Sequence, residues 1–207
     1  MNRREALKNI SIGLGYVISS SALVSALESC SETKPGWTPV FFAEGEQGLI
    51  DHLVDIILPA TKLPGGLELN LSQFVDKMCS DLLHEGDKQW VAMGRNGFAQ
   101  KMEETTGRSL AGAGKKHVRD TFSLFFDLTP EEKEQVLARQ SVAAEEIGEK
   151  EQTAYAIYRF LFTVREFALL GYFTSERIGK EVLVFDPIPG GYKPCIPVSE
   201  VGNAWTI

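Results

Sequence analysis

The chain has 207 residues, with 28 acidic and 21 basic side chains that give a net charge of −7. Its 43% of hydrophobic residues is enough to build one globular domain plus short extra segments. The acidic balance and the lack of a basic cluster argue against nucleic acid and anionic lipid as electrostatic partners.

Residues 1–29 have the pattern of an export signal. Arg3 and Arg4 precede an uncharged, mildly apolar stretch rich in glycine and serine. This order is typical of a twin-arginine signal, which exports folded proteins. An ordinary secretory signal with a chance arginine pair is the alternative. The serines and glycines make the stretch a poor membrane span.

Cysteine usage leaves alternatives open. Cys30 follows a small residue at the end of the apolar run, which resembles a lipoprotein cleavage site and makes Cys30 a candidate for lipidation. Cleavage near Ala26, or no cleavage, is the alternative. Export would place the rest of the chain in an oxidising compartment, where Cys79 and Cys195 could form a disulfide. Alternatively, either cysteine bonds to another chain, or Cys79 is a buried thiol.

The polar segment 30–42 contains prolines and a glycine and is predicted to be a tether. The first helix is predicted over residues 43–58, with Pro59 ending it. Asp51 and Asp55 lie four residues apart on this helix, on one side of it. Two carboxylates at that spacing suit a cation site or an acid–base pair, or are simply two solvated acids.

Four more helices are predicted before the most apolar stretch. They cover residues 71–84, 88–105 and 115–127, and the fourth begins at Pro130 with Thr129 as its cap. That fourth helix is very polar and should carry Val136, Leu137 and Ile147. Residues 85–87 are predicted to form a turn, and Gly94 and Gly97 are expected to weaken the third helix.

The most apolar stretch beyond the signal begins near Tyr155, and its apolar residues recur at three- and four-residue spacing. The face predicted to be buried consists of Ile157, Phe160, Leu161, Val164, Phe167, Ala168 and Gly171. We therefore predict an all-α domain over residues 43–180, built around this helix. The helix is predicted to end at Gly171, where residues 171–176 begin.

Residues 181–207 form a tail of different character. Its prolines fix an extended backbone and remove amide donors, so most of it cannot be helical. It is nevertheless apolar, with residues such as Phe185, Ile196, Val198 and Trp205. An extended apolar tail needs a surface to lie on, either its own domain or a partner.

The motifs that usually carry catalysis are missing from the sequence. There is no glycine-rich dinucleotide fingerprint, no haem-attachment Cys-x-x-Cys-His and no zinc or iron–sulfur cysteine cluster. The three histidines lie in separate segments. We therefore assign no catalytic, cofactor-binding or metal-binding residue to this chain.

Short motifs in the chain resemble the gluconate 2-dehydrogenase subunit 3 family, and the resemblance covers most of the chain beyond the signal. Two of them are residues 55–59, Asp-Ile-Ile-Leu-Pro, and residues 74–76, Phe-Val-Asp. The most specific are residues 171–176, Gly-Tyr-Phe-Thr-Ser-Glu, and residues 189–195, Pro-Gly-Gly-Tyr-Lys-Pro-Cys.

The resemblance implies a non-catalytic small subunit of a periplasmic sugar dehydrogenase complex, without a cofactor of its own. Its partner would be a glucose-methanol-choline-type flavoprotein with FAD, exported together with this chain. A c-type cytochrome with haem c can accompany it, and either a lipid anchor or this cytochrome would hold the complex at the membrane. The residues expected to contact the flavoprotein are Gly171, Tyr172, Phe173, Thr174, Ser175, Glu176, Pro189, Gly190, Tyr192 and Cys195. The alternative is that both stretches only close this domain's own core.

Two other functions compete with this interpretation. One is a free-standing periplasmic lipoprotein that acts as a binding or scaffold module. The other is an independent enzyme that uses Asp51 and Asp55 as an acid–base pair.

Overall fold

The computed structural model describes residues 37–185, 190–191 and 195–205, and the regular secondary structure of this part of the chain is helical apart from one isolated bridge. The predicted all-α fold class is confirmed. The helices are α1 Gln47–Ile57, α2 Leu71–Leu82, α3 Glu85–Thr106, α4 Lys115–Phe126, α5 Pro130–Gln140, α6 Glu149–Thr174, α7 Glu176–Glu181 and α8 Val198–Val201. Two short 3-10 turns, Leu110–Gly112 and Ala144–Glu146, lie in the connections.

Helix α6 is the centre of the fold. It packs against α1, α2, α3, α5 and α7, while α4 packs on α1 and α3. All seven residues of the predicted face are buried, which confirms the periodicity argument. The outer face carries Tyr158, Phe162 and Leu169, which are only half-buried. Among the described helices, none is both long and apolar enough to cross a bilayer.

The two glycines of α3 let its backbone approach α6 closely. A methyl group at Gly94 would lie 1.9 Å from the carbonyl oxygen of Ala156. One at Gly97 would lie 3.0 Å from the Ile157 side chain. Glycine therefore costs helix propensity but permits this contact, a gain that the sequence prediction did not foresee.

Two local predictions were wrong. Residues 85–87 are helical, because Glu85 and Asp87 place carboxylates in the first turn of α3, where the helix dipole favours them. Ile147 is buried but lies beyond the end of α5, after a 3-10 turn. Leu137 does lie on α5, yet 60% of its surface is exposed. Indeed α5 has no buried residue at all.

Residues 37–42, which we call the strap, lie within the predicted tether and are held against the domain. The buried carboxylate of Asp76 on α2 accepts three backbone N–H groups, from Val40 at 2.7 Å, Phe41 at 3.0 Å and Phe42 at 2.9 Å. The Phe42 side chain is buried, and its ring meets that of Phe160 edge-on at 6.5 Å. The strap is thus part of the folded domain.

The described parts of the tail contain one pairing and one helical turn. Val184 and Trp205 form a parallel bridge, in which the Val184 N–H donates to the Ala204 carbonyl at 2.9 Å. The Asn203 amide donates to the Val182 carbonyl at 2.6 Å. Helix α8 was not predicted, and it starts after Pro197, whose φ of −59° suits a helix start.

Candidate partner interface

The motif 171–176 is divided between the core and the surface. Gly171 is buried, and a methyl group there would lie 2.7 Å from the Phe74 ring on α2. Tyr172 is only 8% exposed. These two residues close the domain's own core, because α6 continues through Thr174 instead of running out at Gly171. Phe173, by contrast, is 41% exposed.

The exposed end of α6, around the outward part of this motif, has an apolar patch beside polar side chains that are held by hydrogen bonds. Leu170, one helical turn before Phe173, is also exposed. Ser175 caps α7 by accepting the Ile178 N–H at 3.4 Å. The Glu176 carboxylate accepts a hydrogen bond from Lys180 at 2.5 Å, which lowers the pKa of Glu176. We call Leu170 and Phe173 the α6 patch.

Leu170 was missed by the sequence analysis, although the necessary signal was present. Residues three apart lie on one side of a helix, so Leu170 joins Phe173 as soon as the helix is extended beyond Gly171. Arg165 and Glu166 are exposed one turn earlier on the same helix.

The tail carries a second set of exposed apolar side chains, which we call the tail patch. Its members are Phe185, Ile196, Val198 and Trp205, exposed by 40% or more. Of the predicted contact residues in the tail, Gly190 and Cys195 are exposed. Pro189 and Tyr192 lie outside the described residues, as do Arg3, Arg4 and Cys30 of the N-terminal predictions.

The two described cysteines are both free thiols in this structure. Cys79 is fully buried on α2, whereas Cys195 is exposed in the tail. Burial, reinforced by the nearby Asp76 carboxylate, raises the pKa of Cys79 to about 12. Cys79 therefore has the properties of an inert core thiol. A disulfide between Cys79 and Cys195 stays a prediction, because no bond joins them in this structure.

Asp51 and Asp55 engage different neighbours. Asp55 forms an ion pair with Lys115 of α4. Asp51 lies half-buried beside Ser72, and burial raises its pKa. Burial also lowers the pKa of the intervening His52. A carboxylate neutralised by lysine does not suit an acid–base pair, so this arrangement is better described as packing between α1, α2 and α4.

The described residues contain no group of three or more His, Cys, Asp or Glu side chains close enough to hold a metal ion. The described residues thus provide surfaces for contact with another molecule. Two apolar patches, one on α6 and one in the tail, are the features that a binding partner could cover.

A protein-family model described as Gluconate 2-dehydrogenase subunit 3 matches residues 44–190 of the chain. The match spans every helix from α1 to α7, and α8 follows it. No curated protein matches the chain, and no solved structure matches it either.

Proposed function

Because the chain belongs to the gluconate 2-dehydrogenase subunit 3 family and is thus a subunit of a dehydrogenase complex, we propose that it is the non-catalytic small subunit. In this role it supports export and assembly of a periplasmic, FAD-containing large subunit. The large subunit is a glucose-methanol-choline-type flavoprotein that oxidises a sugar or sugar acid. The family match over residues 44–190 is the observation that carries the proposal.

The α6 patch and the tail patch are the surfaces proposed to meet the large subunit. Interface cores are enriched in aromatic side chains, and Phe173 and Trp205 are 41% and 52% exposed. Burying a large apolar side chain that is now exposed stabilises a complex by roughly 25 cal/mol per Å² before the costs of association. Exposed aromatic residues at both places therefore offer the apolar area for this contact.

Export of the complex is proposed to follow the twin-arginine route. Arg3 and Arg4 would direct the small subunit, and a large subunit bound to it would cross the membrane as folded cargo. Lipidation of Cys30, or association with a c-type cytochrome that carries haem c, would then keep the complex at the membrane.

A pull-down of the tagged chain from native extract tests the subunit assignment. We expect a flavoprotein at one-to-one stoichiometry by mass spectrometry, with flavin absorbance in the eluate and activity towards a sugar or sugar acid. Haem absorbance would identify the cytochrome. A clean monomer under gentle conditions would contradict the proposal and favour a free-standing binding lipoprotein.

Two variants test the surfaces and the export route. Replacing Phe173 with Ala should weaken recovery of the flavoprotein, whereas Leu82→Ala should not, although Leu82 is 58% exposed on α2. Equal recovery with both variants would remove the α6 patch from the interface. Replacing Arg3 and Arg4 with Lys should leave both subunits in the cytoplasm. Periplasmic flavoprotein in that double variant would refute joint export.

A further inference from the structure

The strap follows the predicted export signal closely, with residues 30–36 between them, and it is attached to the domain at both of its ends. At its start, the Gln47 amide on α1 donates to the Trp37 carbonyl at 2.6 Å. At its end, the carboxylate of Asp76 accepts three consecutive backbone N–H groups, those of Val40, Phe41 and Phe42. The strap is therefore the part of the folded domain that lies nearest to the signal in the sequence.

The Asp76 carboxylate makes the docking of the strap close to all-or-none. N–H groups of consecutive residues suit an anion, and hydrogen bonds to a charged acceptor are stronger than those between neutral groups. Asp76 is fully buried, and its hydrogen bonds within the described part of the chain all go to the strap. A strap that opened would leave this carboxylate without these partners, and such a loss is costly for a buried charge.

Docking also requires a finished core. Trp37 is bonded to α1, Asp76 belongs to α2, and the Phe42 ring meets Phe160 of α6 edge-on at 6.5 Å. Helices α1 and α6 come from opposite ends of the domain sequence. The site that holds the strap therefore exists only once these helices have packed together, so a docked strap indicates that the domain is folded.

Release of the strap would uncover apolar side chains close to the export signal. The strap has the sequence Trp-Thr-Pro-Val-Phe-Phe. In the docked state Phe42 is buried, and Phe41 packs against the core with its ring edge-on to that of Phe42 at 5.0 Å. Exposed apolar segments are characteristic of incompletely folded chains. An open strap would thus present this property a few residues after the signal.

We propose that the strap is a folding-dependent clasp that controls export: docked on the complete domain it conceals Phe41 and Phe42, and released it marks the chain as unfolded cargo. The inference rests on the proposed twin-arginine export, a route that carries folded proteins. If the strap only added stability, export would instead follow the melting temperature, whichever contact had been weakened.

Val40 offers a matched pair of variants. Val40→Pro removes the N–H that Asp76 accepts, whereas Val40→Ala keeps it, and the Val40 side chain is 62% exposed, so neither change alters the core. Since the lost bond is to a charged group, hydrogen exchange at Phe41 and Phe42 should be about tenfold faster, or more, in Val40→Pro. We expect the periplasmic fraction of the tagged chain, measured by immunoblot, to fall several-fold in Val40→Pro and to stay unchanged in Val40→Ala.

Val118→Ala separates the clasp from general stability. Val118 is fully buried on α4, and the contacts described for the strap go to α1, α2 and α6. Truncating its side chain leaves a cavity and lowers the melting temperature, but it leaves the strap's own bonds in place. We expect Val118→Ala to be exported like the wild type, although its melting temperature falls by an amount similar to that of Val40→Pro.

The outcomes separate this inference from the proposed function. Equal export of Val40→Pro and Val40→Ala, with faster exchange in the former, would refute the clasp and leave the export route standing. Equal export losses in Val40→Pro and Val118→Ala would show that the strap only adds stability, which also overturns the inference. If exchange is not faster in Val40→Pro, Asp76→Asn takes its place in the same comparison, because it acts on all three bonds. Periplasmic protein after replacement of Arg3 and Arg4 with Lys would refute the export route, and the inference would fail with it.

Discussion

Replacing Asp76 with Asn should release the strap from the domain. In the native protein Asp76 Oδ1 accepts the N–H groups of Phe41 and Phe42, and Oδ2 accepts that of Val40. Asparagine has one acceptor oxygen. Its amide nitrogen would therefore point a donor at the Val40 N–H, from a side chain that is fully buried.

The magnitude follows from these three bonds. A hydrogen bond to a charged group contributes about 1.5–3 kcal/mol, and an unsatisfied buried donor costs a similar amount. Losing one bond completely and the charge on the other two should lower the free energy of unfolding by roughly 2–4 kcal/mol. For a domain of this size, each 1 kcal/mol shifts the melting temperature by about 2–4 °C.

Urea and thermal unfolding, together with hydrogen exchange at Val40, Phe41 and Phe42, provide the assay. We expect faster exchange at these three amides and a melting temperature lowered by roughly 5–15 °C. Asp81→Asn, at an exposed position of the same helix, should change neither quantity. If Asp76→Asn behaved like Asp81→Asn, the assignment of the strap to the folded domain would be wrong.

Three further predictions concern the core, the thiols and pH. Gly94→Ala should destabilise the domain by about 3 kcal/mol or more, because its methyl group collides with α6. Gly86→Ala, where nothing lies within 4 Å, should stabilise it by about 0.5–1 kcal/mol; equal effects in urea unfolding would contradict the close contact. In the native chain, iodoacetamide should modify Cys195 but not Cys79, and peptide mass spectrometry that finds both blocked until reduction would establish the disulfide instead. Because burial lowers the pKa of His52 below 6.5, its contribution to stability is present above that pH and is lost as the pH falls. His52→Gln should therefore reduce the dependence of the free energy of unfolding on pH between about pH 7 and 5. If the slope of that dependence did not change, groups other than His52 would be responsible for it.

Periodicity predicted α6 well because burial in a helix repeats every three to four residues. Every residue assigned to its inner face is buried. The end of α6 was placed too early, since Gly171 looked like a helix terminator. Glycine there instead admits the Phe74 ring, and this requirement comes from another helix. Tyr172, expected on the contact surface, thus lies in the core, and Gly171 lies there as its place on the buried face predicted.

Contacts between distant parts of the chain could not be predicted, because they leave no periodic pattern in the amino-acid sequence. The Asp76 carboxylate bonds to backbone groups of the strap, which every non-proline residue possesses, so the side chains of the strap do not indicate it. The polar composition of α5 was the one sign that this helix would not enter the core.

The close contact at Gly94 also has a consequence for the order of folding. Its partner, Ala156, lies about 60 residues later in the chain, so closing this contact costs roughly 3–4 kcal/mol of chain entropy. Helix α6 leaves the ribosome after α1, α2 and α3, each of which needs it to bury an apolar face. The nascent chain must therefore wait, with those faces uncovered, until synthesis has passed Thr174. We therefore expect folding of this domain to be a late event in its synthesis, because the apolar faces of the earlier helices stay uncovered until α6 is available.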